Sequence, residues 1–291
     1  MNRREFLLTS AGVAAGLSVS DMLQSAQAAA TPRWKMRLST STIQFTRLPI
    51  EQACERIATL GFEGIDIWSP HAKCPHLDDV QARLGVEGLK GLLAKHKLKL
   101  YAFSVYAGGY PKYAELLGKA GGGVAVRGSA KPFKPEDLTA AMKDFMEKLK
   151  PELELAEKYN SYLAIENHGN ALLHSLDSFK AFVDNNKHER LGLALAPYHL
   201  QTVKASIEEA IAISGKQLFF FYAWQFAPDV NQLPGHGPAD MTPWLAALAK
   251  IGYRWYVNPF MHHEPEPDVI SAALAKARDY LKECYAKIGV T

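Results

Sequence analysis

The chain has 291 residues, 48% of them hydrophobic, and a formal net charge of +3. This length and composition fit one large domain with a sizeable core. The near-neutral charge, with no stripe of arginines interleaved with aromatic residues, argues against nucleic acid as the main partner.

The amino-terminal 28 residues have the pattern of a secretion signal. Arg3 and Arg4 precede a hydrophobic stretch that extends to about Val19, and a small-residue Ala26-Gln27-Ala28 exit follows. The apolar part is too short for a stable membrane span, so the pattern predicts twin-arginine export of a single mature domain, residues 29–291, to the periplasm. A cytosolic helix with an arginine cap is the competing interpretation.

Beyond this leader, short apolar runs alternate with helical periods. The pattern predicts eight strands, at 37–41, 64–68, 98–104, 123–127, 162–166, 191–196, 218–223 and 255–258. Helices are predicted between and after them, at 50–60, 86–95, 112–119, 135–159, 175–185, 203–213, 243–251 and 267–287. The alternation favours an α/β fold of the (β/α)8 TIM barrel type. An open doubly wound sheet is the alternative, but no Gly-x-Gly-x-x-Gly follows the first strand.

The cysteines do not indicate a metal knuckle. Cys54, Cys74 and Cys284 lie far apart without a Cys-x-x-Cys pair. Because Cys54 and Cys284 fall in helical patterns, we expect small buried side chains, with one disulfide as the alternative in an oxidising compartment.

Polar residues follow four apolar runs in the second half of the chain. These strand ends carry Glu166 and His168, then His199, then Gln225, then Asn258 and His262. The carboxyl ends of the strands of an α/β barrel form its active site. Burying such groups without partners is unfavourable, so the pattern predicts a polar cleft.

Three segments resemble the xylose-isomerase-like barrel superfamily of sugar isomerases and epimerases, keto-sugar lyases and apurinic endonucleases. They are Leu60-Gly61-Phe62-Glu63-Gly64-Ile65-Asp66-Ile67-Trp68, Ala164-Ile165-Glu166-Asn167-His168-Gly169, and residues 193–199, which are similar to the family's Asp-Pro-x-His strand end. The resemblance spans residues 36 to about 285. It implies a TIM barrel that acts on a small carbohydrate.

The resemblance also implies a divalent metal held, in chain order, by a glutamate, an aspartate, a histidine and a second glutamate. On this chain those four positions hold Glu166, Ala196, Tyr222 and Asn258, respectively, so three of the four ligands are missing. We therefore expect a degenerate metal site. A site for Mn, Mg or Zn rebuilt from Glu166, His199 and His262, with His168 and Gln225 nearby, is one hypothesis; acid–base chemistry without a metal is the other.

For acid–base chemistry the first candidates are Glu166 as base and His199 as acid or carbonyl polariser. The structural alternatives are an ion pair at the barrel rim for Glu166 and a backbone-bonded histidine for His199. Seven residues are predicted to bind substrate: His168, Asn170, Trp224, Gln225, His236, Asn258 and His262. Trp224 would stack on a sugar ring unless it is a core residue, and His236 lies in a predicted lid, 233–240, unless that loop is an exposed connection.

The leading functional hypothesis is a sugar or keto-sugar isomerase, epimerase or lyase that abstracts a proton next to a carbonyl. The second is a non-catalytic periplasmic carbohydrate-binding barrel that has lost its metal ligands. An apurinic endonuclease has little support, since the ligand positions that it needs are vacant.

Overall fold

The computed structural model describes residues 34–289, and the predicted leader lies outside them. Eight parallel strands form one sheet in the order β1-β2-β3-β4-β5-β6-β7-β8. Their bounds are Ser39–Ser41, Gly64–Trp68, Lys99–Ser104, Val124–Gly128, Tyr162–Glu166, Leu191–Leu195, Leu218–Ala223 and Val257–Pro259. Each predicted strand is present: β2, β5 and β7 have the predicted bounds, and the ends of the other five shift by at most two residues.

Within residues 34–289, ten α-helices lie between or after the strands. We number them α1 to α10, and their bounds are Ile50–Thr59, His76–Asp79, Gly85–Lys95, Gly109–Lys119, Leu138–Lys158, Leu176–Asn185, Pro197–Thr202, Ile207–Ser214, Thr242–Lys250 and Pro267–Lys287. Among the helices of residues 34–289, none combines the length and the hydrophobicity that a bilayer span requires.

The sheet closes on itself through its two edge strands. An isolated parallel bridge pairs Leu38 with Val257, and the Val257 amide donates to the Arg37 carbonyl at 2.9 Å. This contact joins β8 to the residues before β1. The predicted (β/α)8 barrel is therefore confirmed.

The predicted helix 203–213 was wrong at its start. The chain forms a separate short helix, α7, and α8 begins only at Ile207 because the Ser206 side chain caps it by accepting from the Glu209 amide at 3.1 Å. Because this short helix directly follows β6, His199 lies in α7, beside the barrel mouth.

Large aromatic side chains facing small ones fill the barrel interior. Tyr101 stacks on Phe220 with ring centroids 4.8 Å apart, and the inward positions of β5 and β6 hold Ala164 and Ala194. Bulky residues from some strands thus occupy the space left by alanines on others. The three cysteines are buried and free, as expected for structural residues.

Candidate active site

Glu166 lies at the carboxyl end of β5 and points into the barrel, two residues after the inward Ala164. It is only 7% exposed, and its Oε2 accepts a hydrogen bond from the Tyr106 hydroxyl at 2.7 Å. Burial raises the pKa of this carboxyl to about 7, although the Tyr106 bond lowers it. The predicted alternative, an ion pair at the rim, is not what holds Glu166; its recorded partner is a neutral phenol.

Two phenols form a pair above Glu166. The hydroxyls of Tyr106 and Tyr222 lie 3.1 Å apart, and we call these residues the tyrosine pair. Burial raises the pKa of both phenols well above the usual value, so both are neutral donors at physiological pH. The sequence places Tyr106 just after β3, at the mouth of the cleft, but no local pattern indicates its bond to Glu166.

A second carboxyl, Asp66 of β2, is fully buried in the same end of the barrel. It accepts hydrogen bonds from Ser41 at 2.7 Å, Ser104 at 2.9 and 3.0 Å, and the Trp68 indole at 2.6 Å. Burial raises its pKa to about 6, and its charge contributes to the raised pKa of Glu166. Asp66 was not among the predicted site residues, since it stood inside the strand pattern rather than at its end.

Asn258 belongs to this buried polar layer. Its Oδ1 accepts from Ser39 at 2.8 Å and its Nδ2 donates to Ser41 at 3.0 Å. Both polar ends of the amide are thus engaged within the barrel wall. Asn258 is therefore a residue of the barrel wall in this structure, and its role in substrate binding stays a prediction.

Three histidines lie together at the mouth: His168, His199 and His262, which we call the histidine cluster. The rings of His168 and His199 have centroids 4.0 Å apart, and the charges of His168 and His262 both act on His199. Burial lowers the pKa of His199 to about 3, and His168 and His262 reinforce this effect. Burial also lowers the pKa of His262 to about 4, reinforced by His71, His263 and His168. Both rings are therefore neutral at pH 7.

A hydrogen bond to the next residue of its own loop determines which ring nitrogen of His168 carries a proton. Its Nδ1 lies 2.7 Å from the Gly169 carbonyl oxygen, so Nδ1 carries the proton that makes this bond.

Trp224 lies between the histidine cluster and the tyrosine pair. Its ring centroid is 5.2 Å from His199, 5.3 Å from His262 and 6.5 Å from Tyr222. The structure therefore brings the ends of β5 to β8 together, with Glu166 deep among the tyrosines and the histidines nearer to solvent.

The predicted stacking face of Trp224 is covered. The residue is 3% exposed, its Nε1 donates to Gln232 at 2.7 Å, and the Tyr198 ring stacks on it at 4.3 Å. Trp224 is thus buried in this structure, with its indole N–H bonded and one ring face against Tyr198. Tyr198, which is half-buried, presents the more accessible aromatic surface.

Two further predicted binding residues serve the loop instead. Gln225 donates from Nε2 to the Leu233 carbonyl at 2.9 Å and accepts at Oε1 from the Ala239 amide at 2.7 Å, which fastens the loop of residues 225–239 at both points. The His236 Nε2 lies 3.0 Å from the Ala273 carbonyl of α10, on the outside of the barrel. The structure thus gives both side chains protein partners, and their role in substrate binding stays a prediction. Asn170 is exposed in the loop after β5.

The donor set does not fit a divalent metal. Ala196 has no donor atom, the phenol of Tyr222 stays neutral, and the Asn258 amide is engaged. Within residues 34–289, no group of three or more His, Cys, Asp or Glu side chains lies close enough together to hold an ion. The rebuilt set of Glu166, His199 and His262 is thus not assembled in the described part of the chain.

The tyrosine pair gives a test of how Glu166 is held. In Tyr106→Phe the carboxylate loses a hydrogen bond that lowers its pKa. We expect the Glu166 pKa to rise by roughly one unit or more, because hydrogen bonds to charged groups contribute about 1.5–3 kcal/mol. A pH titration of the Glu166 carboxyl would measure it, with Tyr198→Phe as the matched control. An unchanged pKa would contradict the role given to Tyr106.

Comparison with known proteins finds a relative by sequence over part of the chain. Over 85 residues the chain is 34% identical to fructoselysine 3-epimerase of Escherichia coli O157:H7, an alignment that spans 28% of this chain and 29% of that epimerase. The chain therefore matches less than a third of the length of this relative.

Solved structures of the same fold align over most of their length. They include 3-keto-D-glucoside 4-epimerase from E. coli (TM-score 0.66, 16% identity, 84% of this chain and 100% of that one). D-psicose 3-epimerase from Clostridium cellulolyticum H10, solved with D-tagatose, aligns with a TM-score of 0.67 and 18% identity over 86% and 99% of the two chains. The IolI protein, solved with a zinc atom, aligns with a TM-score of 0.66 and 18% identity over 87% and 99%.

At these identities the structural likeness establishes the fold alone. The sequence profile of the xylose isomerase-like TIM barrel, however, matches residues 54–284, well over half of the chain. This protein therefore belongs to the xylose isomerase-like TIM barrel family.

Proposed function

We propose that this protein is a sugar or keto-sugar isomerase or epimerase that removes a proton from the carbon next to a carbonyl group. The observation that carries the proposal is the buried carboxyl of Glu166, whose pKa is raised to about 7 by its position at the barrel mouth. A carboxyl with this pKa is largely ionised just above neutrality and is a far stronger base than an ordinary glutamate. The epimerases among the relatives and neighbours support the substrate class.

In this proposal Glu166 takes the proton and returns it, while its hydrogen bond from Tyr106 fixes the carboxylate orientation. The negative charge that develops on the substrate oxygen needs a donor. His199 is neutral, so it acts by donating a ring N–H to that oxygen rather than as an imidazolium acid. Of the two roles predicted for His199, its neutral state therefore favours polarising the carbonyl over general-acid catalysis.

The rest of the mouth supplies binding surface. Tyr198 offers an aromatic face for the apolar side of a sugar ring, on the side away from Trp224. His168 and His262, half-buried or exposed at the rim, and Asn170 in the adjacent loop are placed to bond hydroxyl groups.

A panel experiment tests the proposed function. Ketoses, aldoses and 3-keto-glycosides are incubated with the purified protein in D2O, and deuterium at the carbon next to the carbonyl is followed by NMR. We expect exchange with at least one member, at a rate that rises with pH and levels off above about pH 7, because Glu166 must be ionised to act. Calorimetric binding of sugars without exchange across the panel would contradict the proposal and support the non-catalytic binding barrel.

We also propose that the protein acts in the periplasm, on the strength of the leader pattern, residues 1–28. Fractionation of cells that express the wild type and the variant with Arg3→Lys and Arg4→Lys tests this. Retention of the variant in the cytosol is the expected result, and equal distribution of both would contradict it.

A further inference from the structure

A cavity of about 740 Å³ lies at the amino-terminal end of the barrel, opposite the mouth. The first residues of β5, β6 and β7 line it, together with the turns that precede β7 and β8. One wall is aromatic and consists of Tyr162, Phe219 and Tyr253. Because Tyr162 and Glu166 begin and end the same strand, this cavity lies roughly 13 Å from the proposed active site along β5.

The charge of the lining is mainly positive. Lys187, Lys216 and Arg254 line the cavity, and Glu189 is the one carboxylate among its described lining residues. Arg190 lies at its edge, where its guanidinium bonds the Ser161 carbonyl and the Asn160 side-chain oxygen, both neutral. The ion pairs recorded within residues 34–289 use other lysines and arginines, so these four cations have no carboxylate partner there.

Two of the cations share one aromatic ring. The Cζ atoms of Arg190 and Arg254 lie 5.3 Å and 5.6 Å from the centroid of Tyr162. Like charges held near one ring repel each other unless an anion compensates them. Guanidinium groups, moreover, bind phosphate oxygens in a two-pronged geometry.

An unpaired donor lies next to the same wall. Trp255 packs on Tyr162 and Phe219, with Arg254 over its ring at 5.0 Å. Its Nε1 is shielded from solvent and has no hydrogen-bond partner among residues 34–289. A buried donor without an acceptor is rare in a folded protein, so an acceptor is missing at this end of the barrel.

We infer that the amino-terminal cavity is a second binding site, which takes a phosphorylated small molecule. The cations Lys187, Lys216 and Arg254 hold the phosphate, and the carbon skeleton lies against Phe219 and Tyr253. The cavity has the volume typical of small-molecule sites. A sugar phosphate and a nucleotide share this phosphate chemistry. The inference does not depend on the proposed function, since the two sites lie at opposite ends of the barrel.

Calorimetry on the full chain tests this inference. The probes are inorganic pyrophosphate, glucose 6-phosphate and AMP, with glucose and adenosine as uncharged counterparts. We expect saturable binding of at least one phosphorylated probe with a Kd below about 1 mM, weakened by added salt and absent for its uncharged counterpart. A preference for glucose 6-phosphate or for AMP identifies the kind of phosphate ester, and either supports the inference.

The decisive comparison uses two variants with the same change of charge. Arg254→Gln with Lys216→Gln removes two cavity cations, whereas Lys143→Gln with Lys276→Gln removes two exposed cations of α5 and α10. We expect binding to weaken at least tenfold in the first variant and to stay unchanged in the second. All three replaced lysines and Arg254 are exposed, so the fold should persist, and an unchanged Tm verifies it.

Three results would overturn the inference. They are the absence of binding of every phosphorylated probe by the wild type, full retention of binding in the cavity variant, and equal loss in both variants, which would indicate a general effect of net charge. If the double variant has a lowered Tm, the binding measurement is repeated with Lys216→Gln alone. Lys216 is exposed and lies in the turn Gly215–Gln217.

Discussion

Glu166→Gln is expected to slow deuterium exchange at the substrate carbon by about a hundredfold to ten-thousandfold. The amide has nearly the shape of the carboxyl and can still accept the hydrogen bond from Tyr106, but it cannot take up a proton from carbon. Substrate binding should change much less than turnover, because the hydroxyl-binding groups of the mouth remain. NMR in D2O measures the exchange rate, and calorimetry measures the binding.

Glu152→Gln is the matched control for this change. Glu152 is a second largely buried carboxyl, with a side chain 14% exposed, but it belongs to helix α5 and pairs with Arg127. We expect this variant to exchange deuterium at close to the wild-type rate. If Glu166→Gln and Glu152→Gln behaved alike, the assignment of Glu166 as base would be wrong.

Asp66→Ala is expected to lower the free energy of unfolding by about 3 kcal/mol or more, the largest loss of stability among the variants proposed for this protein. The change removes the acceptor shared by Ser41, Ser104 and the Trp68 indole, and each buried donor left unsatisfied costs about 1–3 kcal/mol. Urea denaturation measures the loss. Asp66→Asn is the conservative control, since its Oδ1 still accepts and its volume is the same, and it should lose less. Equal losses would contradict the hydrogen-bond argument.

Asp66 and Glu166 also make stability depend on pH, in a direction fixed by their pKa values. Burial raises both, to about 6 and about 7, above those of the unfolded chain. As the pH rises from about 4 to 7 the unfolded state loses these protons first, so the contribution of both groups to stability decreases and then levels off. A shift of two units corresponds to about 2.7 kcal/mol. In Glu166→Gln the decrease should be smaller.

The sequence could predict where the mouth lies, because hydrophobic runs that end in Glu166, His199 and His262 place those groups on one edge of a parallel sheet. The sequence could not predict the hydrogen-bond partners of the individual amide and imidazole side chains. Gln225 and His236 have the residue types of a binding loop, but their partners, the Leu233 and Ala273 carbonyls, are set by how the loop folds back.

The sequence could not predict the contacts of Asp66 and Tyr106, deeper in the site, for a different reason. Asp66 is enclosed in a strand whose pattern is otherwise apolar, and its three donors come from β1, β2 and β3. Tyr106 reaches Glu166 across 60 positions of sequence. Neither contact follows from local periodicity, since both depend on the closure of the barrel.

The account is tested most directly by a pH titration of the Glu166 carboxyl, followed by 13C NMR of protein labelled at glutamate side chains. The resonance is assigned by its disappearance in Glu166→Gln. We predict a midpoint at about pH 7, well above those of exposed glutamates. A midpoint near 4.5 would contradict the claim that the barrel mouth makes this carboxyl a base for neutral pH.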